Sequence, residues 1–322
     1  MARPTNAGPV ADKAEVGRQG IGNKLAANRP FIVDNLVVAP WGPGTGQLGH
    51  RKPAEGNPEG PMSLQVNADG KIFVLDQVNG RISVFDETGK PSETIPLPST
   101  SVQDFAFNPT GGFVLLDRLS ARSLIFVNSH GTEIKRVAIE GKSVADSGAV
   151  TAMVAAQDGV WVEYEHKNLT KIATFDGQAD EERRTMEGRS FGSDMLLRAA
   201  RDPRGTAVIS AFSSSMALGS GYLAKVDFGA PISQLLEVSG NPAGQVTVAA
   251  HLVQEDQTPA HAVVQESIGL AVLSQKGTIE RRGELAASDE PDEQFRPITI
   301  APNGSIYHLH IGTNVATIRR AR

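Results

Sequence analysis

Two glycine-rich stretches of the sequence have the residue spacing of known cofactor or catalytic sites. The first, WGPGTGQLG at residues 41–49, contains Gly44-x-Gly46-x-x-Gly49, the spacing that surrounds a dinucleotide pyrophosphate with backbone amides. That chemistry requires a helix after the last glycine, because the helix N-terminus supplies the amides and the dipole that hold phosphate. Residues 50–61 contain three prolines and two further glycines, which exclude a helix. The stretch therefore predicts a connecting loop.

The second stretch, residues 188–192, reads Gly-Arg-Ser-Phe-Gly and matches the G-x-S-x-G nucleophile elbow. An elbow needs a strand before the serine and a helix after it, so that the hydroxyl is exposed above a sheet. The preceding residues 176–187, DGQADEERRTME, form a charged segment that predicts a loop. No strand is therefore expected to present Ser190 as a nucleophile.

The composition limits the remaining chemistry and the class of fold. The 322 residues include no cysteine, which excludes disulfides, thiolate nucleophiles and Cys-ligated metals. A net charge of −5 argues against a nucleic-acid partner, although residues 319–322 form a local basic end. No run of apolar residues is long enough to span a membrane. Short apolar runs, 33 glycines and 19 prolines predict a mostly β protein.

The elements that must position any functional residue repeat along the chain. Residues 62–89, 103–131 and 151–177 each read as strand, turn, strand, loop, strand and turn. The turn glycines recur at Gly70, Gly111, Gly159, Gly205 and Gly304. Their spacing is roughly 40 to 50 residues, with two units between the last two glycines. Six such units predict an all-β, six-bladed β-propeller with four-stranded antiparallel blades.

The first units resemble NHL repeats. Residues 61–90, PMSLQVNADGKIFVLDQVNGRISVFDETGK, have the opening proline, the Asp-Gly turn and the VLDxxNxRIxVFDxxG ending of that family. The resemblance is good over about residues 40–140, weaker to residue 177 and faint in the fourth and fifth units. It implies a six-bladed toroid and says little about chemistry, because one fold supports many functions.

The last unit ends one strand short of a complete blade. Residues 296–300, 305–310 and 315–318 read as three strands, and residues 31–38, FIVDNLVV, supply a fourth. Borrowing this strand closes the ring and removes an exposed sheet edge. We therefore expect residues 1–30 to be a polar extension or linker and residues 31–322 to form one propeller.

The position within each unit singles out a ring of titratable residues. The residue six places after a turn glycine, at the end of the second strand, is Asp76, Asp117, Glu165 or His310. Such a ring can bind a cation or a cationic ligand. The alternative is that the aspartates cap the following loops by accepting backbone N–H bonds.

His308 and His310 lie on one face of a strand and are a possible metal pair. No third ligand is fixed by the spacing, so packing between blades is the alternative interpretation.

Loops at the ends of the second strands and the starts of the first strands should share one face of the disc. The residues expected to form a recognition surface there are Asp76, Arg81, Asp104, Asp117, Arg118, Arg122, Glu165, His166, Asp194, Arg296 and His310. Arg118 and Arg122 are the expected anchors, because guanidinium groups bind carboxylates bidentately.

Two classes of function remain. The first is a non-enzymatic scaffold without a cofactor, a monomeric propeller that binds a protein partner or a small ligand on its loop face. The second is a calcium-dependent lactonase-type hydrolase or a related propeller lyase. Glu59-Gly60-Pro61 resembles the E-G-P of calcium-dependent lactonases, which implies Glu59 as a calcium ligand. The matching Asn and Asp of those enzymes are not found, and Asn303 lies in a turn expected on the opposite face. The NHL resemblance also implies an exported or surface-attached bacterial protein, although the chain contains no signal peptide.

Overall fold

The chain forms a ring of six β-sheets in the computed structural model, which describes residues 29–166, 168–191, 195–213, 222–241, 243–256, 258 and 261–322. These residues contain 24 strands in six four-stranded antiparallel sheets, each of which is one blade. The expected six-bladed β-propeller is confirmed. Residues 1–28, which belong to the expected N-terminal linker, lie outside the described residues.

Blades 1 to 5 each take four consecutive strands. Blade 1 contains β2 (Ser63–Val66), β3 (Ile72–Asp76), β4 (Arg81–Phe85) and β5 (Pro91–Pro96). Blade 2 contains β6 (Asp104–Phe107), β7 (Phe113–Asp117), β8 (Ser123–Val127) and β9 (Glu133–Ala138). Blade 3 contains β10 (Val150–Ala156), β11 (Gly159–Tyr164), β12 (Asn168–Ala173) and β13 (Thr185–Met186). Blade 4 contains β14 (Arg189–Phe191), β15 (Met195–Arg201), β16 (Ala207–Ser213) and β17 (Tyr222–Val226). Blade 5 contains β18 (Ile232–Gly240), β19 (Val246–Glu255), β20 (Val263–Leu273) and β21 (Ile279–Ala286).

Blade 6 is completed by the N-terminal strand, as expected. It contains β22 (Ile298–Ile300), β23 (Ile306–Ile311), β24 (Val315–Ala321) and, as its outermost strand, β1 (Val33–Pro40). β1 pairs antiparallel with β24 from Val33–Ala321 to Pro40–Val315, with a bulge between Asn35 and Val37. The closing strand begins and ends two residues later than the predicted 31–38. Residues 41–62 then cross from the outer strand of blade 6 to the inner strand of blade 1, and no helix follows Gly49.

The position of a strand within its blade explains its sequence. The middle strands β3 and β7 are buried along their whole length, because adjacent blades cover both of their faces. The outer strands β5 and β9 expose nearly every residue, and β5 begins and ends with proline. Proline and polar residues at an outer edge discourage pairing with another chain. The core therefore consists of layers between adjacent blades.

The two faces of the ring carry different connections. We call lower the face that carries the turn 67–70 and its equivalents between first and second strands, and upper the face that carries the connections between blades. Gly70 has a φ of +82° in this turn, which favours glycine. The Asn67 side chain accepts a hydrogen bond of 2.9 Å from the Lys71 amide and fixes the same turn.

The predicted position of the repeat is wrong in blade 4. Gly205, which was aligned with the first turn of each unit, lies between the second and third strands, β15 and β16, on the upper face. The Asp202 side chain accepts hydrogen bonds from the amides of Arg204 and Thr206, the same turn chemistry that Asn67 provides in blade 1. An Asx-Gly turn can join any two antiparallel strands, so its glycine does not identify which strands it joins. The equivalent turn glycine of blade 5 is Gly244, whose amide bonds to the Asn241 carbonyl.

The charged segment 176–187 also differs from the prediction, because it contains strand β13. Ser190 lies within strand β14, and the next described element is strand β15 instead of a helix. The nucleophile-elbow geometry is thus not formed by these strands. None of the helices in the described part of the chain is long and apolar enough to cross a membrane.

Candidate functional site

A cavity of about 680 Å³ opens at the upper end of the central channel. It is bordered by the starts of the inner strands of blades 2 to 6 and extends between blades 3 and 4. Its charged side chains are Asp104, Glu163, His166, Glu187, Arg189, Arg198, Arg201, Glu237 and Arg296. The walls therefore carry four carboxylates and four guanidinium groups, in addition to one imidazole.

Arg296 and Asp104 form the best-buried ion pair of this cavity. Arg296 Nε donates to Asp104 Oδ1 at 3.1 Å and Nη2 donates to Oδ2 at 2.5 Å, while the Asp104 side chain is completely buried. Arg296 Nη2 also donates to the Met153 carbonyl at 2.5 Å. Burial alone would lower the pKa of Arg296, but the Asp104 charge and hydrogen bonds outweigh it and the net shift is upward. One guanidinium thus links blades 2, 3 and 6 at the channel mouth.

A second pair connects blades 4 and 5. Arg189 Nη1 donates to Glu237 Oε1 at 2.5 Å and to the Val238 carbonyl at 3.2 Å. Arg189 Nη2 lies 3.9 Å from Glu163 Oε2 in blade 3. Glu163 is held in turn by the Thr151 hydroxyl, which donates to its Oε1 at 2.9 Å. These contacts fix the orientation of the charges around the cavity.

Arg201 is held differently from Arg189 and Arg296. Its Nη1 donates to the carbonyls of Ile232 at 2.7 Å and Ser233 at 3.2 Å. Among the described residues, no carboxylate lies within ion-pair distance of Arg201. Arg198 lies 3.7 Å from Glu187, and both of these side chains are exposed, so solvent screens the pair. Arg201 and Arg198 are thus the guanidinium groups most available to an anionic ligand.

The connection 287–297 carries Arg296 to its position and is anchored at several points. His50 Nε2 lies 3.1 Å from Asp292 Oδ2, and the His50 ring stacks on Trp41 at 4.5 Å. Lys52 Nζ donates to Glu290 Oε2 at 2.8 Å. Loop 41–62 and connection 287–297 therefore hold each other over blades 6 and 1.

Two aspartates of the predicted ring are buried and hold loops by accepting hydrogen bonds. Asp76 is fully buried and accepts hydrogen bonds from the Gly49 amide, the Asn79 side chain and Arg81 Nε. Asp117 is also fully buried and accepts from the amides of Ser120 and Ala121. Neither aspartate lines the cavity. The capping alternative thus describes Asp117, whereas Asp76 accepts its backbone N–H bond from the preceding loop 41–49 and none from the turn that follows it.

The three predicted arginines outside the cavity occupy three different environments. Arg81 donates to the carbonyls of Pro43, Gly44 and Gln47 and so holds the loop 41–49. Arg118 Nη1 donates to the carbonyls of Gly148 at 2.7 Å and Val150 at 2.9 Å, and its guanidinium lies over the Phe295 ring. Arg122 is 62% exposed, and its Nη1 donates to Glu140 Oε1 at 3.5 Å. Of the two expected anchors, Arg118 joins blades 2 and 3 and Arg122 forms an exposed ion pair with Glu140 at the surface.

The remaining predicted rim residues are divided between the cavity and other places. Asp104, His166 and Arg296 line the cavity. Glu165 and His166 lie in the turn after β11 and have positive φ angles of 52° and 55°. The predicted site residue Asp194 lies outside the described residues.

His308 and His310 are buried side by side, with ring centroids 5.9 Å apart. The His308 ring makes no hydrogen bond to another described residue, and His310 Nε2 lies 3.6 Å from Asp289 Oδ1. Burial and the Arg319 charge lower the pKa of His308 to about 3. The same two causes lower the pKa of His310. The pair packs between blades, and within the described residues no group of three potential metal ligands is formed.

Glu59 lies away from the cavity. Its carboxylate receives a hydrogen bond of 2.5 Å from Arg51 Nη2, and both side chains are exposed to solvent. Main-chain hydrogen bonds of 2.8 Å also join Arg51 and Glu59. The two residues form a small surface hairpin in loop 41–62.

Several cavity residues were not identified from the sequence, namely Glu163, Glu187, Arg189, Arg198, Arg201 and Glu237. Five of them belong to or adjoin strands of blades 4 and 5, or the link into blade 4, where the repeat is faint. Arg189 lies inside the G-x-S-x-G match, a motif in which the serine is the chemically active residue. A correct placement of Gly205 on the upper face would have placed Arg201 there as well.

The fold is similar to those of several solved structures at low sequence identity. A member of the duf4221 family from Bacteroides vulgatus gives a TM-score of 0.52 at 10% identity, over 91% of this chain and 97% of that chain. Kuenenia stuttgartiensis hydrazine synthase gives 0.48 at 12% identity, over 77% and 72% of the two chains. A streptogramin B lyase gives 0.43 at 12% identity, over 91% and 97%. No family model or curated protein matches the sequence. The similarity to the duf4221 protein concerns the fold alone.

Proposed function

We propose that the protein is a non-enzymatic propeller that binds an anionic ligand or partner segment in the upper cavity. The observation that carries this proposal is a cavity of about 680 Å³ whose charges are held in fixed positions by neighbouring blades. Ligand sites commonly have volumes of about 300–1,000 Å³. Fixed charged groups reduce the entropy lost on binding, which favours a recognition site.

The charge arrangement favours a carboxylate as the group that is recognised. Asp104 and Glu237 neutralise Arg296 and Arg189, whereas Arg201 has only carbonyl partners among the described residues. Two carbonyls orient the Arg201 guanidinium without neutralising it. Arginine binds carboxylates bidentately, so an anchored arginine of this kind is suited to an acidic ligand.

A thermal-shift screen with a panel of mono- and dicarboxylic acids, amino acids and dipeptides tests the proposal. We expect a subset to raise the Tm of the wild-type protein but not that of Arg201→Gln. Arg204→Gln is the matched control, because Arg204 is exposed in the adjacent turn and does not line the cavity. Mass spectrometry after incubation should recover each bound compound unchanged. A panel without Arg201-dependent shifts, or chemical conversion of the bound compounds, would contradict the proposal.

The lactonase-type alternative requires calcium at Glu59. Calcium at about one hundred times its dissociation constant would stabilise a binding protein by roughly 2.7 kcal/mol. We expect no such stabilisation, because the Glu59 carboxylate is paired with Arg51 at the surface. Calcium-dependent stabilisation and lactone hydrolysis that Glu59→Ala abolishes would favour the enzyme instead.

A further inference from the structure

We propose that an extended acidic peptide binds the upper cavity as an added β-strand along β15, an inference that rests on the proposed binding function. β15 runs from Met195 to Arg201, but its inner neighbour β14 pairs only with Met195–Leu197. The remaining segment, Arg198–Arg201, lines the cavity along its whole length. Alternate residues of an antiparallel strand direct their N–H and C=O groups towards each neighbouring strand. This segment therefore presents main-chain donors and acceptors to the cavity.

The chain itself prevents β14 from covering this edge. Continuing the register of Arg189 with Leu197 would place Thr185 and Met186 opposite the end of β15. Thr185 and Met186 instead pair with Thr170 and Leu169 as the fourth strand of blade 3. Only two residues, Glu187 and Gly188, separate β13 from β14. The residues that could extend the inner strand of blade 4 are thus already paired in blade 3.

In the other five blades the upper end of the second strand is covered on its inner edge. A hydrogen bond there joins the second strand to the connection that precedes the first strand. These bonds are Met62 N to Leu75 O (3.0 Å), Gln103 N to Leu116 O (2.9 Å), Glu165 N to Ala149 O (3.0 Å), Val253 N to Pro231 O (3.0 Å) and Leu309 N to Pro297 O (2.8 Å). Within the described residues, no equivalent bond reaches Arg198–Arg201. Blade 4 differs from all the others at this one position.

The open segment has the size and the side chains for a short peptide. Four strand residues span about 13 Å, and the cavity beside them has a volume of about 680 Å³. Ala199 and Ala200 are small, so they leave room for an incoming backbone. Arg198 and Arg201 lie at the two ends of the segment and attract acidic side chains. Main-chain pairing supplies affinity in such complexes, and the flanking side chains supply specificity.

Selection from a random heptapeptide library displayed on phage provides the test, with the Arg201→Gln protein used to subtract peptides that do not need the cavity. We expect enriched peptides to combine Asp or Glu with β-branched residues. The most enriched peptide is then synthesised with free amides and with alternate amides N-methylated. Methylation along the pairing edge should weaken binding about tenfold or more, because it removes several main-chain hydrogen bonds. Amide hydrogen exchange within 198–201 should slow when the unmodified peptide binds.

Two controls separate this inference from the proposed function. Arg204→Gln should bind the peptide like the wild type, whereas Arg201→Gln should bind it more weakly. Arg201→Gln should stay fully folded in the absence of urea, with an unfolding midpoint lowered only slightly by the loss of the bonds from this exposed side chain to the Ile232 and Ser233 carbonyls. An absence of enriched peptides would overturn strand addition, as would binding that tolerates N-methylation and leaves exchange at 198–201 unchanged. If the carboxylate panel still gives Arg201-dependent shifts in either case, the cavity remains a binding site and only the strand-addition mechanism fails.

Discussion

Arg81 Nε donates a hydrogen bond of 2.8 Å to Asp76 Oδ2, and this ion pair holds the glycine-rich loop 41–49 onto blade 1. Asp76 accepts a second bond from the Gly49 amide, also at 2.8 Å. Arg81 donates its other N–H groups to the carbonyls of that loop. The glycines that resemble a phosphate-binding motif thus bring main-chain groups close to a buried ion pair. Their role in this contact is structural.

Removing the Asp76 carboxylate should strongly destabilise the fold. We expect Asp76→Ala to lower the free energy of unfolding by about 3–5 kcal/mol, because it leaves Arg81 and the Gly49 amide without their buried acceptor. Urea denaturation measures the change. Glu59→Ala is the matched control, since it breaks an exposed Arg51 pair and should cost about 0–1 kcal/mol. Equal losses for the two variants would show that loop 41–49 is not held by the Asp76 pair.

Closure of the ring can be tested with two neighbouring residues of β1. Val37 is 3% exposed and packs in the core of blades 6 and 1, whereas Val38 is 58% exposed. We expect Val37→Asp to cost about 3 kcal/mol or more, because it buries an unpaired charge. Loss of β1 would also expose the edge of β24 and promote oligomers.

Val38→Asp introduces the same charge on the same strand and should change stability by less than about 0.5 kcal/mol. Urea denaturation and light scattering together measure stability and oligomerisation. A tolerated Val37→Asp would mean that the ring does not depend on its N-terminal strand.

The overall fold was predictable because each blade repeats strong local signals. Buried middle strands such as β3 are continuous apolar runs, and turns such as 67–70 combine Asn with Gly. The closing strand followed from counting strands in the last unit. Blade 4 could not be placed correctly, because Asp202 and Gly205 form the same kind of turn between a different pair of strands.

Arg118 and Arg122 provide another matched pair. We expect Arg118→Ala to lower the free energy of unfolding by about 1–3 kcal/mol, since the carbonyls of Gly148 and Val150 lose their donor and the stacking on Phe295 is removed. Arg122→Ala should have an effect within about 0.5 kcal/mol, because that side chain is largely exposed. Urea denaturation of both variants distinguishes an arginine that joins two blades from an exposed surface arginine. Indistinguishable midpoints would return Arg118 to the group of surface recognition residues.

The candidate site was less predictable than the fold, for a physical reason. A position in a repeat predicts which face of the ring a residue occupies. It does not predict whether a carboxylate there holds a loop of its own blade or pairs with an arginine of another blade. Asp76, Asp117 and Asp104 all lie at the upper ends of strands, yet only Asp104 meets a guanidinium from another blade inside the cavity. That contact joins residues 192 positions apart and follows from ring closure.

The buried His308 predicts how the stability of the protein depends on pH. Burial and the positive charge of Arg319 lower the pKa of His308 in the folded protein to about 3, from an ordinary value of 6.5. The His310 ring lies 5.9 Å from the His308 ring, and Asp289 lies next to His310. Because the pKa of His308 is lower in the folded protein, the unfolded chain binds a proton at His308 more readily than the folded chain does. The contribution of neutral His308 is complete above pH 6.5 and is lost as the pH falls towards 3.

His308→Leu should remove this part of the acid sensitivity. Between about pH 6 and pH 4, the wild-type free energy of unfolding should fall faster than that of the variant, by up to about 1.4 kcal/mol per pH unit. At neutral pH the variant should differ from wild type by less than about 1.5 kcal/mol, because the replacement is similar in volume and His308 makes no hydrogen bond to another described residue. Urea denaturation across this pH range measures both quantities. His130→Leu, a substitution in an exposed turn, controls for a change in hydrophobicity. Curves for His308→Leu and wild type that stay parallel from pH 6 to pH 4 would show that His308 is not held neutral by its burial between the blades.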